Sequence, residues 1–504
     1  MEAFADWLDA NAGRTPHKAA LIFEDQTISY AELAARSARL AAWLQNERGL
    51  APGARIAWLG FNTPDMLAML FACARTALVM LPLNWRLSDE ELAAIVADAG
   101  ATLAVVDRSC ADRADALAGV PLVYARERRK GLSRLPDEDG DPGLVASSFA
   151  APERGVLLIY TSGTTGRAKG ALLTQDALCF NARNAQHMHG MQAADRILTV
   201  LPMFHVGGIN IQTLPALECG ATVILEARFD AARTLALIAQ ERPTLTVQVP
   251  ATLVALLAHS EWADTDISCL RACATGSTDV PLPLIEALHA RGVPVIQIYG
   301  ATETGPVAIY QCIEHAYSHA GSIGRCGLHT EVRLVDECGH EVADGVPGEI
   351  LVRGPHVACG YWDHQTRDVT PFVDGWFVSG DVAERDAQGF FWFKDRRKHV
   401  IISGGENIYP AELERVIAVS GLLREAAVAG RADAHWGEVP VVVAVRASAE
   451  TESEDVLRLF DGHLARYKLP KDVVFVDALP RNAMGKVEVQ RLRELVKNDN
   501  PGDA

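Results

Sequence analysis

Apolar and polar positions alternate along the first part of this chain in two rhythms, one helical and one strand-like. Tyr30–Gln45 carries Ala and Leu at helical spacing with Glu32 in its first turn, and Arg55–Leu59 is a short apolar strand. Pro64–Thr76 then reads as a helix, Val79–Pro82 as a strand, Glu90–Ala99 as a helix, and Leu103–Val106 and Leu122–Tyr124 as strands. The rhythm stops over Arg126–Gly143, a charged stretch rich in Gly, Pro and Asp that is expected to be an exposed loop. It resumes with a buried strand at Val156–Ile159, strands at Ile197–Leu201, Ala221–Leu225, Thr246–Val249 and Val295–Tyr299, and helices at Ile209–Leu217, Ala231–Arg242 and Leu284–Arg291. Such alternation predicts parallel strands covered by helices.

From about Gly324 the pattern changes. Glu331–Val335, Gly348–Arg353, Gly375–Val378 and Phe390–Phe393 are short, β-prone and separated by Gly, Asp and Pro, which predicts a smaller, mainly antiparallel subdomain. After Lys394–Lys398 come a helix at Pro410–Val419, strands at Ala426–Gly430 and Val439–Arg446, and a helix at Val456–Arg466. That tail suits a small α+β domain. No internal repeat is visible.

A length of 504 residues calls for two or three domains, and 49% hydrophobic with 22% charged residues is the composition of a folded globular protein. The net charge of −17 argues against a nucleic-acid partner, which needs a basic face. The basic clusters Arg126–Lys130 and Lys394–Lys398 are too small to change that. The start of the chain has neither a basic nor an apolar leader region, and its most apolar window, Met66–Leu83, contains Arg75 and Pro82. The expectation is therefore a buried helix feeding a strand, no transmembrane segment, and a cytoplasmic location. The ten cysteines form no C-x-x-C and have no matching His spacing for zinc, so they read as reduced core residues.

The densest chemistry lies at Tyr160–Gly170, Tyr-Thr-Ser-Gly-Thr-Thr-Gly-Arg-Ala-Lys-Gly, directly after an apolar strand. Glycines let the backbone approach a ligand, and clustered N–H and O–H donors suit phosphate oxygens. It is not a Walker loop, because Lys169 stands three residues past Gly166 and Gly170 occupies the place of Ser or Thr. Taken alone, the stretch is either a phosphate cradle or a polar turn.

Four further junctions carry reactive side chains. His205, in Pro202–Gly208, follows a strand and precedes two glycines, and the residues leave a half-buried packing histidine as an equal reading. Tyr299-Gly300-Ala301-Thr302-Glu303-Thr304-Gly305 places a carboxylate at a strand end, where open α/β sheets bind ligands. Glu303 there suits Mg²⁺, which takes oxygen donors and shares itself with phosphates, or else it caps the next helix. Asp381 follows the strand of Gly375–Val378 and could accept from two ribose hydroxyls. Ser403–Pro410 is a second glycine turn, and Pro480–Val487 puts Lys486 at a turn tip, where a lone lysine is ordinarily solvated.

The order and spacing of these motifs resemble the adenylate-forming enzymes, which include acyl-CoA synthetases, stand-alone adenylation domains and firefly-type luciferases. The resemblance runs from Asp6 to Leu492 and includes Ile28-Ser29-Tyr30-Ala31-Glu32-Leu33 and Pro82-Leu83-Asn84-Trp85-Arg86-Leu87. It implies an α/β fold: a large N-terminal domain of helix-covered mixed sheets with a β-rich subdomain (1–394), a hinge (395–398) and a small mobile α+β C-terminal domain (399–504). The reaction implied has two steps. A carboxylate attacks the α-phosphate of ATP, with Mg²⁺, to give an acyl-adenylate and pyrophosphate; a thiol, commonly that of coenzyme A, then displaces AMP.

Carried over residue by residue, the resemblance implies that Thr161, Ser162, Gly163, Thr164, Thr165, Gly166 and Lys169 form the loop over the β- and γ-phosphates. Thr302 would bond the α-phosphate and Glu303 would hold Mg²⁺. Gly276, Ser277, Tyr299, Gly300 and Ala301 would line the nucleotide site, with Asp381 and Arg396 on the ribose. Lys486 would reach the α-phosphate and the acid carboxylate during adenylation. Phe204, His205, Gly207, Ile209, Gly300 and Val307 would border the acyl pocket, with His205 also beside the thiol entrance. Lys398 would be the pivot, and Gly404, Gly405, Glu406 and Trp436 would build the thiol tunnel after the small domain swings. Asp395 stands where Gly is frequent and His399 where an acid is frequent, which bears on hinge control.

A carrier-loading adenylation enzyme would share every ATP motif and pass its acyl group to a phosphopantetheine arm, and a luciferase-like oxygenase is a further alternative. A homodimer is compatible with the resemblance. The presumed pocket segments offer Gly207, Gly208, Ile209, Ile211, Ala274, Gly276, Gly300, Ala301, Val307 and Ile309 and no Arg or Lys. The acid is therefore expected to be apolar, a medium or long fatty acid or an aromatic acid, and not malonate-like.

Overall fold

The computed structural model describes residues 2–125, 133–136, 154–161, 168–277, 280–362, 371–403, 406–433, 436–460, 464, 466–481 and 485–498. Local signals start the helices where the pattern places them. Ser29 and Glu32 cap each other's backbone at the start of Tyr30–Ala42, and Ser88 with Glu91 does the same for Asp89–Ala99. Thr63 caps Pro64–Arg75, whose proline needs no N–H in the first turn. Every residue of that helix is buried, as is every residue of the strand Val79–Leu83 after it. Buried Arg75 is neutralised by two bonds to Asp9, at 2.7 and 2.8 Å. Among the described residues no helix is long and apolar enough to cross a membrane.

Two mixed sheets carry the larger part of the chain. In the nine-stranded sheet, Ala19–Phe23, Thr222–Leu225, Arg196–Thr199, Leu245–Gln248, Ala272–Gly276 and Val295–Tyr299 run parallel, and antiparallel strands close both edges. In the eight-stranded sheet, Gly155–Thr161 lies parallel to Val79–Leu83 and antiparallel to Lys169–Thr174. The main apolar core takes residues from both sheets, with Phe4, Trp7, Tyr30 and Phe71 fully buried in it. Burial on both faces explains why these strands read as continuous apolar runs.

The β-prone region beyond Gly324 forms a five-stranded sheet in which Trp376–Arg385 pairs antiparallel with Phe372–Val373 and Phe391–Arg396. The tail forms another sheet, built on the long hairpin of Leu423–Asp433 and Gly437–Arg446, with Ile401, Ile408, Leu413, Val442 and Phe460 in its core. The chain divides into two compact units: Met1–Val280, Leu284–Val332 and Val352–Val378 in one, and Pro281–Pro283, Arg333–Leu351 and Ser379–Ala504 in the other.

Three readings need correction or completion. The single helix expected over Ile209–Leu217 is two, Val206–Asn210 and Thr213–Cys219, broken at Gln212 (φ −134°). Pro215 is the reason: it has no N–H for a continuous helix but fits the first turn of a new one. The expected helix Val456–Arg466 is described as Ser453–Arg458 and Arg466–Lys468. Of the loop expected at Arg126–Gly143, residues 126–132 and 137–143 lie outside the described residues, and Ser133–Arg134 pairs with Leu122–Tyr124.

Candidate active site

Ala272–Gly276 and Val295–Tyr299 run parallel with Gly276 beside Ile298, so both predicted nucleotide segments leave the sheet at strand carboxyl ends. The backbone is crowded there. A β-carbon on Gly276 would lie 2.5 Å from the Ile298 carbonyl oxygen, and Ser277 next to it is left-handed at φ 80°. A left-handed L-residue costs on the order of 1 kcal/mol and is held only by its surroundings. Gly300 is tighter still: its β-carbon would stand 1.7 Å from the Pro306 carbonyl oxygen.

Glu303 lies in a single 3₁₀ turn, Thr302–Thr304, which Thr304 closes by accepting from the Ala301 N–H at 2.8 Å. The Glu303 carboxylate is buried and its Oε1 accepts from the Tyr361 hydroxyl. Its backbone carbonyl accepts from the Ala358 N–H at 2.7 Å. Beneath the turn, His356 Nδ1 is 2.8 Å from the Thr304 carbonyl and Nε2 is 2.8 Å from the Thr330 hydroxyl. A carbonyl can only accept, so Nδ1 carries the proton and Nε2 accepts. Burial pulls the His356 pKa down to about 4, which keeps the ring neutral.

Thr161 and Lys169 face each other across antiparallel strands at the base of the glycine-rich stretch. Ser162, Gly163, Thr164, Thr165 and Gly166 lie outside the described residues. The Lys169 ammonium stands 5.3 Å from the Tyr361 ring centroid. Tyr361 thus contacts both the base of that stretch and Glu303. Its role escaped the sequence reading, because Gly360-Tyr361-Trp362 by itself is only a short strand. A buried carboxylate beside a hydroxyl supplies hard oxygen donors, and the Lys169 ammonium nearby suits phosphate oxygens, which fits Mg²⁺ bound jointly with phosphates.

Where the acyl pocket is expected, His205 is the N-cap residue of Val206–Asn210. Its ring meets Phe204 edge-on at 4.3 Å, Phe204 meets Trp85 at 6.1 Å, and Trp85 meets Phe61 at 4.8 Å. Arg86 lies over Trp85 at 4.9 Å and Arg228 over Phe61 at 5.5 Å. This aromatic row joins three distant segments and was not foreseen. Asn210 donates to the Gly305 carbonyl at 2.7 Å, and Asn181 donates to the Asn210 carbonyl at 2.8 Å while accepting from the Val307 N–H at 3.0 Å. Those bonds tie the His205 helix to the Glu303 turn. Ile209 and Val307 are fully buried, whereas Gly207 is not: a β-carbon there would meet only Ile211 Cδ1, at 4.0 Å.

In the second unit, Asp381 pairs with Arg396 across antiparallel strands, Oδ1 to Nε at 3.1 Å, and is buried while Arg396 is exposed. Asp395 is fully used: Oδ1 accepts from the Arg396 N–H at 2.6 Å and Oδ2 from the Ala411 N–H at 2.8 Å, capping the helix Pro410–Ala418. His399 Nδ1 lies 3.5 Å from the same carboxylate. Lys398, Glu406, Trp436 and Lys486 are exposed, and Gly404 and Gly405 lie outside the described residues. Lys486 follows Gly485 (φ 76°) in a turn closed by Arg481 donating to the Gly485 carbonyl at 2.7 Å.

The model of the AMP-binding enzyme family matches residues 8–362, and that of the AMP-binding enzyme C-terminal domain matches 412–486. The chain belongs to the AMP-binding enzymes. As such it is 46% identical over 500 residues to an indoleacetate–CoA ligase of Aromatoleum aromaticum, covering 98% of both chains. It is 38% identical over 494 residues to a feruloyl-CoA synthase of an Amycolatopsis species, covering 97% of this AMP-binding enzyme and 99% of the relative. Its fold matches the o-succinylbenzoate coenzyme A synthetase of Bacillus subtilis in complex with ATP and magnesium ion, with a TM-score of 0.86, 31% identity, and coverage of 97% and 99%.

Proposed function

We propose that this AMP-binding enzyme joins an aryl or arylacetic acid to coenzyme A. It is an AMP-forming carboxylic acid–CoA ligase whose co-substrates are ATP and coenzyme A. The acid's carboxylate oxygen attacks the α-phosphorus and pyrophosphate leaves; the thiol sulfur then attacks the acyl carbon and AMP leaves. Mg²⁺, when bound, neutralises phosphate charge in the first step, and Glu303 would hold it. Thr161, Lys169 and Thr302 would position the phosphates, Gly276, Ser277 and Tyr299 the adenine, and Asp381 with Arg396 the ribose. Lys486 would supply the cation for adenylation, on a C-terminal domain (399–504) turning about Lys398.

Gly207 carries the substrate assignment. Neither its backbone conformation nor its neighbours demand glycine: a β-carbon there would meet only Ile211 Cδ1, at 4.0 Å, in the helix that follows Phe204 and His205. Segments 204–213, 274–280 and 299–310 carry no Arg or Lys, which suits an apolar ring; the nearby Arg86 and Arg228 lie against the aromatic rings of Trp85, Phe204 and Phe61. The 46% identity to an indoleacetate–CoA ligase supports the same class. A screen of ATP-dependent thioester formation over indole-3-acetate, phenylacetate, hydroxycinnamates and fatty acids of graded length tests the reading. The expected order places indole-3-acetate and phenylacetate first; preference for acetate, malonate or a long fatty acid overturns it. Light scattering on the purified chain decides whether the expected homodimer forms.

A further inference from the structure

We infer that Tyr361 is a positioning residue for adenylation, fixing the Glu303 carboxylate so that its other oxygen meets the metal of the metal–ATP complex. The inference rests on the reading of Glu303 as the magnesium ligand. Tyr361 approaches from a segment that is itself pinned. The Cys359 N–H donates to the Leu172 carbonyl and the Leu172 N–H to the Gly360 carbonyl, both at 3.1 Å. Tyr361 and Trp362 then pair with Ala171 and Gly170, directly after the glycine-rich stretch. From this strand the Tyr361 hydroxyl donates to Glu303 Oε1, while one face of its ring carries the Lys169 ammonium at 5.3 Å. The neighbouring Ala358 N–H holds the Glu303 backbone carbonyl at 2.7 Å. Phe372 packs edge-on against the Tyr361 ring at 5.8 Å and limits its rotation.

The arrangement does two things. It fixes which carboxylate oxygen of Glu303 is occupied by a protein donor, so a hard cation would take Oε2 in a set orientation. It also ties the position of Lys169, on the phosphate side, to the position of the metal ligand through one rigid ring, since an ammonium is attracted to an aromatic face. Loss of a partner that orients a metal ligand typically weakens metal binding by about 10- to 100-fold.

The test uses the full chain with Mn²⁺ as a spectroscopic probe and α,β-methylene-ATP as a non-reacting nucleotide. Free Mn²⁺ is counted by electron paramagnetic resonance for wild type, Tyr361→Phe, Tyr361→Leu and Glu303→Gln. Tyr361→Phe keeps the ring and loses only the hydroxyl, so Mn²⁺ affinity should fall about 10-fold or more, in a chain that still unfolds cooperatively with a thermal midpoint lowered by no more than a few degrees. Its KM for Mg·ATP should rise, while thioester formation from a supplied acyl-adenylate should stay at the wild-type rate. Tyr361→Leu also loses the face under Lys169 and should weaken nucleotide binding measured without metal, which Tyr361→Phe should not. If Glu303→Gln weakens Mn²⁺ binding and Tyr361→Phe leaves it within twofold of wild type, the positioning role is wrong. If Glu303→Gln itself leaves Mn²⁺ binding intact, the metal-ligand reading beneath it is wrong instead.

Discussion

Two glycines at the site make opposite predictions when each is changed to alanine. At Gly300 the new methyl would lie 1.7 Å from the Pro306 carbonyl oxygen, 2.7 Å from its carbon and 2.8 Å from Thr304 Oγ1. A carbon and a carbonyl oxygen meet at roughly 3.3 Å, so the first of these contacts is short by about 1.6 Å. The obstacle is backbone, so no rotamer change relieves it. The Thr302–Pro306 turn must move, and Glu303 moves with it. Overpacking of this kind costs about 1–3 kcal/mol, and a 1 Å displacement of a positioning group costs about 100-fold in rate. At Gly207 a methyl would meet only Ile211 Cδ1 at 4.0 Å. Stability should hold or gain up to about 1 kcal/mol, because alanine is the better helix former. The methyl would instead occupy the space assigned to the aryl ring, and a one-methylene mismatch is worth about 1–3 kcal/mol in discrimination. Urea unfolding and kcat/KM for indole-3-acetate and butyrate on both variants separate the effects. Gly300→Ala should lower stability and lose activity on both acids. Gly207→Ala should stay as stable as wild type and lose about 10-fold or more on indole-3-acetate relative to butyrate. An unchanged ratio in a folded Gly207→Ala would refute the aryl-slot argument, and a fully stable, active Gly300→Ala would refute the crowding argument.

Lys486→Ala should cut pyrophosphate release by about 100-fold or more while thioester formation from a supplied acyl-adenylate is largely spared; equal loss in both half-reactions would contradict a lysine used only in adenylation. Asp395→Ala leaves the Ala411 N–H uncapped at the start of Pro410–Ala418 and should cost about 1–2 kcal/mol, with Asp395→Asn costing less because it retains an acceptor, both read by urea denaturation. Burial depresses His189 and His356 to about 4, below the ordinary value of 6.5. The unfolded chain therefore binds more protons between those limits, so stability is full above pH 6.5 and falls as pH drops toward 4, by up to about 3 kcal/mol per histidine. Urea midpoints from pH 7.5 to pH 4.5 should show this fall, with a shallower slope in His356→Gln.

The elements most legible in the sequence are those whose signal is local. The helix that begins at Tyr30 with Glu32 in its first turn, the apolar strand Arg55–Leu59 and the helix Pro64–Arg75 each need only a few neighbours to be read. The fifteen-residue helix Gln175–His189 was missed for the opposite reason. Its buried face carries Asn181, Asn184 and His189 where a packing helix would carry Leu, so the apolar period is broken. Those side chains are buried because they serve other segments: Asn181 and Asn184 hold the backbone of Val307, and Asn184 also takes the His329 N–H. The strand Ala272–Gly276 was hidden by its small residues, of which Gly276 is required by the close approach of Ile298.

The same division runs through the site. Donor-rich motifs announce themselves because reactive groups and glycines must sit close together in the chain. What orients them does not: Tyr361 stands 58 residues from Glu303, and His356 stands 52 residues from Thr304. Each looks ordinary in its own neighbourhood and acquires a role only once the sheet brings its partner into reach. The motifs at Thr161–Lys169 and Thr302–Glu303 name the chemistry only when read in order with the others along the chain, while the residues that hold them in place, such as Tyr361 and His356, belong to none of them. It follows that the strongest test of this structure is the substitution of an unremarkable tyrosine, because only the three-dimensional arrangement gives any reason to expect it to matter.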